Sequence, residues 1–349
     1  MLKRKHFILS AMAAVAGAGL LGLSSCSKPD EAAANPEIAF SVLSVEKAQD
    51  LEKLWTPLFE DMRKETGLNI RPFYSSNYTT LIEGMRFNQV QAGWFSNAAG
   101  LEAIRRAEGE VFAHSTYPDG VEGYTSVIIV PAKSTLTAEQ VLVCDKTLNF
   151  GMGDVKSTSG TLAPLTYFFL PQGKEPNTCF KNVRSASHQA NIEAVAAGVI
   201  DAATNNSTAL WELEETNPEK FAKIKVIWNS PVLPNDVLIY RKDLDPAAKE
   251  KLRSFFLTYG TGEGAEADRQ RAVLRALYFG NFKPDDNNHF IPVRLMEATQ
   301  ALQQAKNAGD AAAIDKAQAA YDALKVEEAA YIKKAPPVQA KADASASAQ

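Results

Sequence analysis

The chain has few of the residues that carry metal and redox chemistry. Its 349 residues include three cysteines, four histidines and four tryptophans. His6, His114, His188 and His289 are scattered, and no Cys/His spacing matches a zinc pattern, so neither a metal site nor a cofactor is expected. Excess positive charge is lacking as well. The net charge is −4 with both signs interspersed, which leaves out the electrostatic footprint of a nucleic-acid partner. Beyond the N-terminus no stretch reaches the ~20 apolar residues that a membrane span needs. What remains, at 46% hydrophobic and 22% charged residues, is the composition of one large or two medium globular domains.

The N-terminus reads as a secretory signal: Lys3, Arg4 and Lys5 precede the apolar run ILSAMAAVAGAGLLGL. It ends in Leu23-Ser24-Ser25-Cys26, which resembles the cleavage box of bacterial lipoproteins. That resemblance implies residues 1–25 as signal, Cys26 as the lipidated first residue, 26–36 as a tether and an extracytoplasmic location on a membrane surface. A plain signal peptide cut nearby is the other reading. In such an oxidising compartment Cys144 and Cys179 read as a disulfide, or else as two partly buried free thiols.

Hydrophobic periodicity then alternates strand and helix. EIAFSVLSV (37–45) reads as a strand, 47–66 as a helix with Leu51, Leu54, Trp55, Leu58 and Phe59 on one face, and NIRPFYS as a second strand. TTLIEGMRF, VQAGWFS, AAGLEAIRRAE and VFAHSTY continue the pattern. GYTSVIIVPAKS (123–134) reads as one strong strand. LNFGMGD, HQANIEAVAAG and VIDAATNN repeat the style, and KIKVIWNSPVLPNDVLIYRK supplies a strand pair. This is an α/β chain of two similar units joined by two extended crossings, with a cleft between them. Helices follow residue 246, NFKPDDNNHFIPVR reads as a loop, and 295–333 as a helix or helical hairpin broken near Asn307-Ala308-Gly309. Residues 334–349 form a low-complexity tail.

Loops at the carboxyl ends of parallel strands carry ligand sites in such sheets. In GMGDVKSTSGTLAPL, Ser157, Thr158, Ser159 and Gly160 precede an apolar run at helical spacing. A simple helix cap and an anion site built from hydroxyls and unpaired N–H groups both fit this pattern. The spacing does not make a Walker A loop, and neither serine stands in a Gly-x-Ser-x-Gly or Ser-x-x-Lys motif, which argues against a hydrolase.

From about 36 to 260 the chain resembles the substrate-binding proteins of phosphonate ABC transporters, the PhnD-like group. The resemblance rests on LEKLWTPLFEDMRKETG, IEGMRFNQVQAGWFSNAAGLEAIRRAEGEVFA, GDVKSTSG, ASHQAN and VIWNSPVLPND. It implies a type II periplasmic binding protein fold: Rossmann-like lobes joined by a two-strand hinge, with a C-terminal helical extension. The lobes are expected at 37–126 with 231–294, and at 127–230.

The function implied is capture of a phosphonate, phosphite or phosphate by a monomeric, non-enzymatic receptor that serves a permease and ATPase. A sensor of the same ligands is the alternative. The implied ligand contacts are Tyr78, Phe95, Ser157, Thr158, Ser159, His188, Asn206 and Asp236. Local sequence alone offers plainer roles: Tyr78 as a core or rim aromatic, His188 as its own helix cap, Asp236 as a turn residue. Two departures stand out. Phe95 replaces a common Tyr, and Thr208 stands where aminophosphonate binders carry Glu, which puts a smaller or neutral-tailed ligand in view.

Overall fold

The computed structural model describes residues 36–43 and 48–332. The expected signal segment, Cys26, residues 26–35 of the tether and the 334–349 tail lie outside the described residues. Strand β1 (Ile38–Leu43) is buried along its whole length, as a strand covered on both faces must be. The helix Ala48–Thr66 follows and packs Leu51, Trp55, Leu58, Phe59 and Met62 against the sheet. β2 (Ile70–Ser75) and β3 (Ala92–Phe95) flank β1 in parallel. Their crossover helices are Ala48–Thr66 and Tyr78–Arg86, and a third helix, Asn97–Arg106, leads to β4 (Gly109–Ser115).

The chain then leaves this sheet through β5 (Gly123–Tyr124) and β6 (Ser126–Pro131). The second sheet adds β7 (Asn149–Met152), β8 (Asn182–Ser185), β9 (Ala202–Asn206) and β10 (Ile224–Asn229). The return passes through β11 (Leu233–Pro234) to β12 (Val237–Arg241) and, after two helices, β13 (Phe282–Pro284). The sheet orders are β13-β4-β12-β3-β1-β2 and β10-β6-β9-β7-β8, with β5 and β11 paired on their own. Each large sheet has a first strand between its second and third, then an antiparallel strand that arrives from the other half: β12 beside β3, β6 beside β9. The two lobes therefore share one topology.

Three stretches differ from the sequence reading. Residues 123–134 are not one strand, because Thr125 divides β5 in the crossing from β6 in the second sheet. There Thr125 N–H donates to Ser207 Oγ and Ser126 N–H to Ser230 Oγ, ties that turn the chain. KIKVIWNSPVLPNDVLIYRK is three strands in three sheets instead of a pair. NFKPDDNNHFIPVR, read as a loop, contains edge strand β13 and a short 3₁₀ turn, Asn287–Phe290.

Side-chain alternation along β6 sends Val127 and Ile129 to one face and Ile128 and Val130 to the other, so both faces of the second sheet carry a core. Cys144 and Cys179 are joined in a disulfide that closes a loop containing the Ser157–Gly160 segment. At the C-terminus, Ile291–Ala308 and Ala311–Ile332 form a helical hairpin turned by Gly309 at φ +70°. Its first helix touches both lobes. Arg105 pairs with Glu297, and Gln300 Nε2 donates to Leu162 O and Thr166 Oγ1. No described helix is long and apolar enough to cross a membrane.

Candidate ligand-binding site

The site is built around a turn that leaves α-helical geometry. Ser157 is extended and caps the helix with its Oγ, which accepts from Gly160 N–H at 3.0 Å. The following turn, Thr158–Leu162, is π-helical. Donors from outside insert into its ladder: Ser126 Oγ–H bonds Ser159 O at 2.6 Å, and Thr204 Oγ1–H bonds Gly160 O at 2.7 Å. Such insertions widen helical turns. Gly153 N–H also reaches Gly160 O, at 2.9 Å. A Cβ on Gly153 would lie 2.5 Å from the Gly160 Cα, so only two glycines permit this approach of β7 to the turn.

This turn walls a cavity of about 90 Å³, against the ~10–15 Å³ that one water molecule needs. Ser157, Ser159, His188 and Asn206 enter from the second lobe, Tyr78 from the first, and Asp236 from the return crossing. Helix caps place three of them. Asn77 caps the helix that Tyr78 begins, its Oδ1 accepting from Thr80 N–H at 3.0 Å. Ser187 caps the helix that His188 begins, accepting from Ala190 N–H at 3.2 Å, so His188 does not serve as its own cap. Asn206 caps the next helix through Ala209 N–H at 2.8 Å and still lines the cavity.

Two of the expected contacts are not brought to the cavity. Phe95 is fully buried in the first lobe's core, because side chains alternate along β3: its neighbours Trp94 and Ser96 face the cavity instead. Thr158 is turned to the other lobe, where its Oγ1 accepts from Ala98 N–H at 2.9 Å.

No lysine or arginine lines the cavity among the described residues. Its electrostatics come from burial. Burial pushes the Asp236 carboxyl up to about 8 and the His188 imidazole down to about 4. Burial also raises the hydroxyls of Tyr78, Tyr117 and Tyr124 well above the usual range, which keeps them protonated donors. Five buried polar atoms of lining side chains have no hydrogen-bond partner among the described residues: Trp94 Nε1, Ser96 Oγ, His188 Nδ1, Asn235 Oδ1 and Asp236 Oδ1. An unmet buried polar group costs about 1–3 kcal/mol, so the walls are arranged for a polar occupant.

The chain from residue 40 to 290 matches the family model described as the periplasmic phosphonate substrate-binding protein of ABC transporters. The chain belongs to this family. The phosphonates-binding periplasmic protein of Escherichia coli K12 is 35% identical over 298 residues, 85% of this chain and 86% of that one. A crystal structure of the binding component of an ABC phosphonate transporter from Pseudomonas aeruginosa superposes with a TM-score of 0.79 at 36% identity, covering 86% of this chain and 99% of that one. The complex of a Prochlorococcus marinus relative with methylphosphonate shares the fold, with a TM-score of 0.65 at 20% identity over 74% of this chain and 96% of that one.

As a member of the phosphonate-binding family the chain has an extracytoplasmic role, and its fold is the type II periplasmic binding protein fold. Sequence reasoning missed several lining residues. Tyr117 and Tyr124 lie on the outgoing crossing, and Tyr124 ends β5, with Thr125 alone between it and β6. Glu212 stands four residues after Thr208 on one helix, hence on the same face, and both line the cavity. That spacing was legible. The contribution of Leu277, Tyr278 and Phe279, distant in sequence, was not.

Proposed function

We propose that the protein captures a small phosphorus oxyanion between its lobes and hands it, unchanged, to an ABC permease and its ATPase. The observation that carries this reading is the convergence of hydrogen-bonding side chains, five of them with a buried polar atom unmet among the described residues, on a small cavity that no described lysine or arginine lines. Ser157 and Ser159 hydroxyls, the Tyr78 hydroxyl and His188 would donate to the oxygens. Hydrogen bonds to a charged partner contribute roughly 1.5–3 kcal/mol each. Asp236, which burial keeps protonated at neutral pH, would donate that proton in a hydrogen bond to a phosphonate oxygen. Asn206 completes the wall, while Thr158 acts on closure and Phe95 on packing.

The lobes in this proposal are 37–126 with 231–294, and 127–230. The receptor works as a monomer, held to the membrane by lipid on Cys26. Its task is binding without catalysis. Thr208 and Glu212 mark the end of the cavity that would meet the organic tail. Glu212 supplies a carboxylate one turn from the position where Thr208 departs from aminophosphonate binders.

Calorimetry with methylphosphonate, 2-aminoethylphosphonate, phosphite and phosphate tests the reading. Micromolar or tighter binding of at least one ligand is expected. Ser159→Ala should weaken it ~10- to 150-fold, the range set by one charge-assisted hydrogen bond. A silent panel would overturn the proposal.

A further inference from the structure

Behind the cavity wall, the fold brings together two of the scattered histidines. His114 on β4 and Asp285, which follows β13, are 171 positions apart, yet His114 Nδ1 lies 2.6 Å from Asp285 Oδ2. His289 Nδ1 lies 2.6 Å from the same oxygen. The two rings stack with centroids 5.3 Å apart. The three side chains are 12%, 9% and 4% exposed for His114, Asp285 and His289.

The outer nitrogens identify the tautomers. His289 Nε2 is 2.8 Å from the backbone oxygen of Asn235, which only accepts, so this nitrogen carries the proton. His114 Nε2 is 3.1 Å from Glu122 Oε2, a carboxylate that also pairs with Lys283. It too carries the proton. In a neutral ring the lone pair then belongs to Nδ1, and both Nδ1 atoms converge with a carboxylate oxygen, all within 4.8 Å of one another. Two arrangements balance the charge: a second proton on each of two stacked rings, or one divalent cation in place of both protons. The second leaves both rings neutral. It also uses the outer partners as metal sites do, with a carboxylate and a backbone carbonyl fixing the orientation of the ligating imidazoles.

We propose that His114, Asp285 and His289 bind one divalent first-row metal ion, for which Zn²⁺ suits the two-nitrogen, one-oxygen donor set. The site is separate from the ligand cavity. It would tie β4 to the turn that precedes the C-terminal hairpin, and through His289 to Asn235, the neighbour of Asp236. Asn97 Nδ2 bonds the oxygens of Pro234 and Asn235 in the same place, so the metal would brace the return crossing from the other side.

The test uses the purified full chain without a polyhistidine tag, stripped by a strong chelator and dialysed into metal-free buffer. Zn²⁺ titration should show one equivalent bound with micromolar or tighter affinity and a raised melting temperature. Co²⁺ should give visible absorption bands of a nitrogen- and oxygen-ligated site. His114→Gln and His289→Gln should each weaken Zn²⁺ at least 100-fold. Stripped wild-type protein that takes up neither ion would overturn the proposal, even if the variants fail to fold. Unchanged binding in the His114→Gln/His289→Gln double variant would overturn it too, by placing the metal elsewhere.

Discussion

At Asp236 burial holds the carboxyl proton to about pH 8, where an exposed aspartate releases it near 3.8. The folded chain therefore keeps a proton that the unfolded chain has lost. Stability of the ligand-free protein is greatest below pH 3.8 as far as this group is concerned, and falls as pH rises through 8. His188 acts in the opposite limb. Its folded value of about 4 lies below the ordinary 6.5, so its contribution is present above 6.5 and is lost as pH falls through 4. Asp236→Asn removes the alkaline penalty. Its ligand-free melting temperature should exceed that of the wild type by several degrees at pH 8.5, and the gap should close towards pH 4. Thermal melts across that range would read it, and parallel curves would refute the protonation state assigned to Asp236.

Elements set how a hydroxyl cluster becomes a site. The Ser157 cap and the π-helical turn depend on Gly160, where a Cβ would meet Gly153 Cα at 2.8 Å and Ser157 Oγ at 2.9 Å. Neither contact is tolerable, and one lies in the backbone of β7's exit. Gly160→Ala should therefore cost about 1–3 kcal/mol of stability, as overpacking does. It should also weaken ligand binding at least tenfold by displacing the Ser157 hydroxyl. Chemical denaturation and calorimetry on the same variant measure both, and wild-type affinity would show that the turn is not the ligand platform.

For the whole molecule, the cavity is closed by contacts between lobes. Thr158 accepts from Ala98 N–H, Lys156 pairs with Glu102, and Tyr117 meets Thr208 across the cleft. Closure in such proteins is driven by contacts present only in the closed form. Thr158→Val keeps the shape, removes one such contact and leaves the cavity walls intact. Affinity should fall roughly three- to tenfold through faster ligand release, in line with the ~0.5–1.5 kcal/mol of one hydrogen bond. Stopped-flow kinetics would show it, with small-angle scattering reporting a larger open fraction. An unchanged release rate would place closure elsewhere.

Strand and helix positions were legible because burial on one or two faces writes a period into the chain. The Ser157 cap was legible because capping is local, and the dispersed motifs around it carried the family. Phe95 was not, since a two-residue period fixes which side chains share a face but leaves open which face meets the ligand. Nor was the split of residues 123–134, where Ser207 and Ser230 turn the chain from a distance. The same limit hid His114, Asp285 and His289. Sequence by itself determined most of the elements, the Ser157 cap and the hydroxyl cluster, which depend on neighbours a few residues away. Only the tertiary structure decided which of these groups face one cavity, which close the lobes and which histidines meet, because those outcomes depend on how two sheets pack across a crossing that no local pattern encodes.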